Sequence, residues 1–161
     1  MVCPPLIALM PDWPAPDRVR AVSTTRHGGI SLPPYDSLNL GDHVGDAPER
    51  VAANRQRLRQ VLKLPAEPAW LSQVHGNSVV AAEQVTAPVE ADAAYTRQGG
   101  AVCVVMTADC LPILLCDRAG ACVAVAHGGW RGLAGARPGA GRVHHPPWRR
   151  QSAPLRQFES G

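Results

Sequence analysis

Residues 101–133, AVCVVMTADCLPILLCDRAGACVAVAHGGWRGL, decide the fold of this chain. They contain three apolar runs, 102–106, 113–116 and 122–126, which predict strands buried on both faces. The polar segment 117–120 ends in glycine and separates the second run from the third, so it predicts a hairpin. We therefore expect a buried sheet at the centre of the fold.

Polar and sulfur-bearing side chains follow these strands. Asp109 and Cys110 come after the first run, His127 opens a glycine-rich segment after the third, and His75 lies between two shorter apolar runs. Imidazole and thiolate ligands suit zinc or copper. Because the sequence has no C-x-x-C pair, spacing alone leaves a second interpretation open, in which the histidines are ordinary polar residues and Cys110 is a small buried hydrophobe.

One helix is predicted upstream. Asp46, Pro48 and Glu49 form a helix-start pattern, and apolar residues then recur on one face until Pro65. Residues 31–41 hold many turn formers and predict a long ordered loop. Further short strands are expected at 19–24, 70–74, 78–82 and 91–96.

Composition and charge exclude several classes of protein. The 161 residues, 45% of them hydrophobic, suit one globular domain. The net charge of +3 comes from residues 136–161, with five arginines, so the nearly neutral residues 1–135 predict no nucleic-acid partner. An N-terminal apolar run broken by prolines predicts neither a signal peptide nor a membrane span. Five cysteines, an odd number, predict a cytoplasmic location, and no heptad or repeat indicates an oligomeric state.

The composition changes abruptly at Ala136. Residues 136–161 are rich in Arg, Pro and Gly without apolar periodicity, which predicts a disordered basic tail and is also typical of a GC-rich coding sequence read out of frame. Residues 1–135 are then expected to form a C-terminally truncated domain. Because its central strands are expected to need cover on both faces, we expect this chain to aggregate or remain molten, with little activity.

Six ordered motifs within about residues 11–135 carry a resemblance. They are PDWPAP, STTRHGGISLPPYDSLNLG, WLSQVHG, ADAAYT, MTADCLPILLCD and AHGGWRGLAG. The chain resembles the N-terminal part of the YfiH/YlmD family, also called laccase-domain or polyphenol oxidase proteins. The resemblance implies an α/β fold of the α+β type, with layered mixed sheets flanked by helices. It also implies zinc-dependent phosphorolysis of adenosine, inosine and methylthioadenosine, with adenosine deaminase activity, so the expected partners are a purine nucleoside and phosphate.

The resemblance also implies site residues. By motif, the metal ligands are His75, Cys110 and His127, which would leave zinc one open position, as in catalytic zinc sites. Arg26 and Asn39 match polar positions of the family's pocket, and Arg26 is expected to help hold phosphate.

Asp109 adjoins Cys110 and is a candidate for proton transfer or, alternatively, a turn residue that orients a ligand. Three other functions remain open. The first is a copper-binding polyphenol oxidase, although six histidines without an H-x-H pattern are too few for a laccase. The second is a hydrolase or deamidase with Cys110 as nucleophile and His127 as its base. The third is a non-catalytic fragment.

Overall fold

The fold is built from short strands and two helices in a computed structural model that describes residues 4–135. Within that range, the strands are β1 Ala8–Leu9, β2 Ser23–Thr24, β3 Leu71–Ser72, β4 Val79–Ala81, β5 Val89–Glu90, β6 Ala93–Thr96, β7 Leu111–Cys116 and β8 Val123–Gly128. The helices are α1 Pro48–Leu62 and α2 Trp130–Gly135, with a 3₁₀ turn at Ala82–Gln84.

The largest sheet in the described part of the chain has the strand order β4-β6-β8-β7. β4 and β6 are parallel, whereas β8 is antiparallel to both β6 and β7. Two further pairs, antiparallel β1-β2 and parallel β3-β5, form separate small sheets. A mixed sheet, two small sheets and two helices confirm the predicted α+β class.

The predicted hairpin is confirmed. β7 pairs with β8 in a register that sets Pro112 opposite His127. The turn closes through a hydrogen bond of 3.0 Å from the Gly120 N–H to the Asp117 carbonyl. Gly120 has a φ of 62°, a left-handed conformation that glycine adopts without a steric cost. The polar, glycine-ended segment was therefore a sufficient local signal for this part of the sheet.

The predicted strand at 102–106 is wrong as a regular strand. Its one bridge is parallel, between Ala69 and Cys103. At its end, the Met106 backbone bonds to the Gln73 side chain, through an N–H donated to Oε1 at 2.6 Å and a carbonyl that accepts from Nε2 at 2.8 Å. The backbone of Met106 is thus bonded to a side chain and not to a neighbouring strand.

Burial of the central strands on both faces is also wrong. β7 lies at the edge of the sheet, and its Leu111 and Leu115 are 66% and 39% exposed. The other predicted strands exist but are shorter, as β2, β3, β4 and β6. The buried apolar cluster is made mostly of small side chains, Ala69, Leu71, Ala82, Ala91 and Ala94.

Helix α1 is confirmed, although Asp46 does not cap it. Pro48 occupies the first turn, and the helix ends at Leu62 before the C-cap residue Lys63, whose φ of 50° is left-handed. The N-cap is Ala47, so Asp46 lies one residue too early to cap the helix. The Asp46 carboxylate instead accepts a hydrogen bond of 2.6 Å from the Ser31 hydroxyl. The acidic residue therefore fastens the loop of residues 31–41 rather than the helix.

The three cysteines within the apolar runs at 102–106, 113–116 and 122–126 differ in burial. Cys122 is buried, whereas Cys103 and Cys116 are half-buried. Burial, with smaller contributions from the charges of Glu83 and Cys122, raises the pKa of Cys103 to about 12. None of the helices in the described range is long and apolar enough to cross a membrane. The predicted disorder of 136–161 lies outside the described residues.

Candidate metal centre

Three side chains converge at one end of the largest sheet. The potential ligand atoms of His75, Cys110 and His127 lie within 4.8 Å of one another. The hairpin accounts for two of them, because Pro112 is paired with His127 and Cys110 precedes Pro112 by two residues. His75 comes from the turn between β3 and β4 and is exposed, whereas His127 is buried.

A buried carboxylate brings the third side chain to the other two. Asp92, 2% exposed, accepts hydrogen bonds from three consecutive backbone N–H groups. They belong to Val74 at 3.3 Å, His75 at 2.8 Å and Gly76 at 2.7 Å. His75 has a φ of 58°, which costs free energy for a residue other than glycine. The bonds to Asp92 therefore hold this turn in a conformation that it would not favour alone.

The same carboxylate contacts the His127 ring. His127 Nδ1 lies 3.1 Å from Asp92 Oδ1, and both side chains are buried. Burial raises the pKa of Asp92, but hydrogen bonds from His127 and the backbone N–H groups of Gly76, His75 and Val74 outweigh it, so the pKa lies below its usual value. Since an ionised carboxylate has no proton to donate, Nδ1 is the donor and Nε2 is left to bind a metal.

The residues present fit a metal ion. Zinc bonds of about 2.0–2.1 Å to nitrogen and about 2.3 Å to sulfur require only a modest contraction of this group, which the exposed His75 ring allows. A Cβ on Gly129 would lie 3.1 Å from the His75 ring, 3.4 Å from the His127 ring and 3.7 Å from Cys110 Sγ. Glycine at that position therefore lets the main chain approach the point where the three side chains meet.

Arg26 lies on the wall of the same cavity. Its guanidinium forms an ion pair with Asp36 at 3.2 Å and donates from Nε to the Asp36 carbonyl at 2.6 Å. A longer bond of 3.4 Å reaches the Pro34 carbonyl. The Arg26 side chain is nevertheless 61% exposed. In this conformation, Arg26 fastens the loop of residues 31–41.

Asn39 and Asp109 differ in their contacts. The Asn39 side chain accepts from the Gly41 N–H at 3.0 Å and donates to Asp46 Oδ2 at 3.1 Å. Asn39 therefore stabilises the loop that it belongs to. Asp109 is exposed and makes no hydrogen bond or ion pair with residues 4–135.

An open cavity of about 1340 Å³ is lined by all six residues that the sequence singled out. The structure brings three of them, the histidines and Cys110, into one group. Asp92, which links His75 to His127, was missed. Its signal was an acidic residue placed between alanines at the second position of the short predicted strand at 91–96, inside the ADAAYT motif. That pattern alone does not reveal which backbone segments the carboxylate will meet.

Comparisons with known proteins identify the family. Residues 20–138 match the family described as Multi-copper polyphenol oxidoreductase laccase. The chain is 56% identical over 126 residues to Purine nucleoside phosphorylase YfiH of Escherichia coli (strain K12), covering 78% of this chain and 52% of that protein. A purine nucleoside phosphorylase of Pseudomonas aeruginosa is likewise 56% identical over 126 residues, covering 78% of this chain and 51% of its own length.

Solved structures agree. A Neisseria meningitidis protein superposes with a TM-score of 0.75 at 53% identity, covering 80% of this chain and 52% of that chain. YlmD from Geobacillus stearothermophilus superposes with a TM-score of 0.63 at 36% identity, covering 70% of this chain and 46% of that chain. The chain belongs to the Multi-copper polyphenol oxidoreductase laccase family. The predicted membership of the YfiH/YlmD proteins is thereby confirmed, and the chain spans about half the length of the curated relatives it matches.

Proposed function

We propose that this chain carries the metal site of a zinc-dependent purine nucleoside phosphorylase. The observation that carries the proposal is the convergence of His75, Cys110 and His127 within 4.8 Å. Two neutral imidazoles and one thiolate form a donor set with one position left for a substrate, as in catalytic zinc sites. Curated relatives with 56% identity to this chain are named purine nucleoside phosphorylases, which supports the choice of reaction.

The bound ion would supply a Lewis acid that positions an anionic or polar substrate group. In phosphorolysis, phosphate attacks the anomeric carbon, the glycosidic bond breaks, and the base and ribose 1-phosphate leave. We propose that Arg26 binds phosphate. Its exposed guanidinium can form a bidentate pair with an oxyanion when the oxyanion replaces Asp36 as its partner. Asn39 keeps the adjoining loop in place through its bonds to Gly41 and Asp46.

Adenosine deamination in the same pocket is part of the proposal. In that reaction a water molecule attacks C6 of the base, and ammonia leaves to give inosine. We assign the proton transfer to Asp109, whose exposed carboxylate adjoins Cys110. We also propose a cytoplasmic location, because a reducing compartment keeps a thiolate available to a metal, and the described cysteines are free.

One observation favours a second candidate, a hydrolase with Cys110 as nucleophile. His127 has its Nδ1 on the Asp92 carboxylate and its Nε2 left for the thiol, which is the orientation of a Cys-His-Asp arrangement. Such a hydrolase would not need His75 beside Cys110 and His127, whereas a metal site needs it as a third ligand. Copper remains an alternative ion, because it binds the same ligands more tightly than zinc.

Incubation with adenosine and phosphate tests the proposal. Two proteins are compared, this chain and a chimera that joins residues 1–135 to the remaining half of the Escherichia coli relative. The zinc-loaded chimera is expected to release adenine, and inosine by deamination, whereas this chain is expected to show little activity. A chelator or Cys110→Ala should abolish both products of the chimera. Zinc-loaded chimera that forms neither product, combined with metal-independent amide hydrolysis, would instead establish the Cys110 hydrolase.

A further inference from the structure

We infer that Asp92 is a positioning residue that assembles the metal group before any ion binds, by fixing the His127 ring and the His75 turn with one carboxylate. The inference rests on the metal group of the proposed function, but not on the reaction that the group performs. It goes beyond the three ligands, because it identifies the residue that positions the two histidines among them.

The contacts of Asp92 divide between its two oxygens. Oδ1 accepts from the His75 N–H at 2.8 Å and lies 3.1 Å from His127 Nδ1. Oδ2 accepts from the Gly76 N–H at 2.7 Å and from the Val74 N–H at 3.3 Å. Four donors on one buried carboxylate, from two separate segments of the chain, make it a bridge between the segments that carry the two histidines.

The sheet fixes where this bridge stands. The Asp92 N–H donates to the Ser78 carbonyl at 3.1 Å, and the Asp92 carbonyl accepts from the His127 N–H at 2.7 Å. The next residue, Ala93, pairs with Ala126 at the start of the β6-β8 ladder. The backbone of Asp92 therefore cannot move away from His127 without disruption of the largest sheet.

Two consequences follow for the ligands. The His127 ring is held with the proton on Nδ1, so Nε2 faces the group without a competing tautomer. The backbone N–H groups of residues 74–76 keep their partners only when the turn carries His75 toward His127, as the centroid separation of 4.7 Å between the two rings records. Asp92 thus supplies much of the ordering that a metal would otherwise have to impose.

Asp92→Asn tests the inference. The amide keeps the shape of the carboxylate but turns one oxygen into a donor, which then faces backbone N–H or ring N–H groups. Zinc affinity, measured by chelator competition on the whole chain, is expected to fall by about 10–100-fold. The visible spectrum with Co²⁺ should change in its d–d bands. Glu90→Gln, which removes an exposed acid two residues away, is the matched control and should stay within about twofold of the parent.

A second readout does not depend on whether the variant folds. The ¹⁵N shifts of the His127 ring in the unsubstituted, metal-free chain should report the tautomer protonated at Nδ1. Protonation at Nε2, or unchanged zinc affinity in folded Asp92→Asn, would overturn the inference, as would an unsubstituted chain that binds no zinc. Since neither readout uses a nucleoside, absence of phosphorolysis alone would count against the proposed function and not against this role of Asp92.

Discussion

Replacement of Asn54 by alanine should release the loop of residues 31–41, which forms part of the cavity wall. Asn54 lies on helix α1 and is fully buried at 0% exposure. Its side chain holds the loop through four hydrogen bonds, donated to Ser31 Oγ at 2.9 Å, the Asn39 carbonyl at 2.9 Å and the Ser37 carbonyl at 3.2 Å, and accepted from the Ile30 N–H at 2.9 Å.

The size of the loss in stability depends on which hydrogen-bonding groups are left without a partner in Asn54→Ala. Ser31 still donates to Asp46, and the Ser37 carbonyl still accepts from the Ser31 N–H at 2.8 Å. The Ile30 N–H and the Asn39 carbonyl are the groups left unsatisfied, and each such group costs about 1–3 kcal/mol when buried. We therefore expect a loss on the order of 3 kcal/mol in the free energy of unfolding, a large part of a domain's usual 5–15 kcal/mol or so.

Urea unfolding followed by circular dichroism at low protein concentration measures that loss. Hydrogen exchange of the Ile30 amide should accelerate in the same variant. Gln56→Ala, an exposed site on the same helix, is the control and should change stability by less than about 0.5 kcal/mol. A variant Asn54→Ala that loses under about 1 kcal/mol and keeps the Ile30 amide protected would refute the role given to this side chain.

Three further outcomes are expected. Gly132→Ala should weaken metal binding, because its Cβ would lie 2.5 Å from the Gly76 carbonyl oxygen and push α2 away from the turn that carries His75. Trp130→Ala, at a 73% exposed position on α2, should leave metal binding unchanged. Cys103, with its pKa raised to about 12, should resist iodoacetamide at pH 8 in the folded chain and react only after unfolding, as mass spectrometry would show; equal rates in both states would contradict this. Leu111→Lys should reduce concentration-dependent self-association in sedimentation experiments, because Leu111 is 66% exposed on an edge strand.

Local signals predicted part of the fold correctly. The hairpin at 117–120 needed only a polar, glycine-ended segment between apolar runs, and helix α1 needed Pro48 and a periodic apolar face. The run 102–106 has the same apolar character, but whether it forms a ladder depends on which segment lies beside it. The prediction of burial on both faces failed for a similar reason, because the composition of β7 does not reveal that β7 lies at the edge of a sheet.

The site could be predicted from the family motifs, but not from the spacing of the residues alone. The resemblance supplied His75, Cys110 and His127, whose separation in sequence says nothing of their separation in space. Asp92 was missed because its importance arises from three backbone N–H groups and a ring nitrogen that meet only in the folded chain. A buried bridge of this kind has no sequence pattern of its own.

The central claim is that His75, Cys110 and His127 together bind one zinc ion. Elemental analysis of the purified, folded chain is expected to find about one zinc per chain, and substitution of any one of the three by alanine should abolish tight binding. His43→Ala, at an exposed histidine outside the group, should leave the zinc content unchanged. Unchanged zinc in all three ligand variants, or folded parent protein without zinc, would contradict the account.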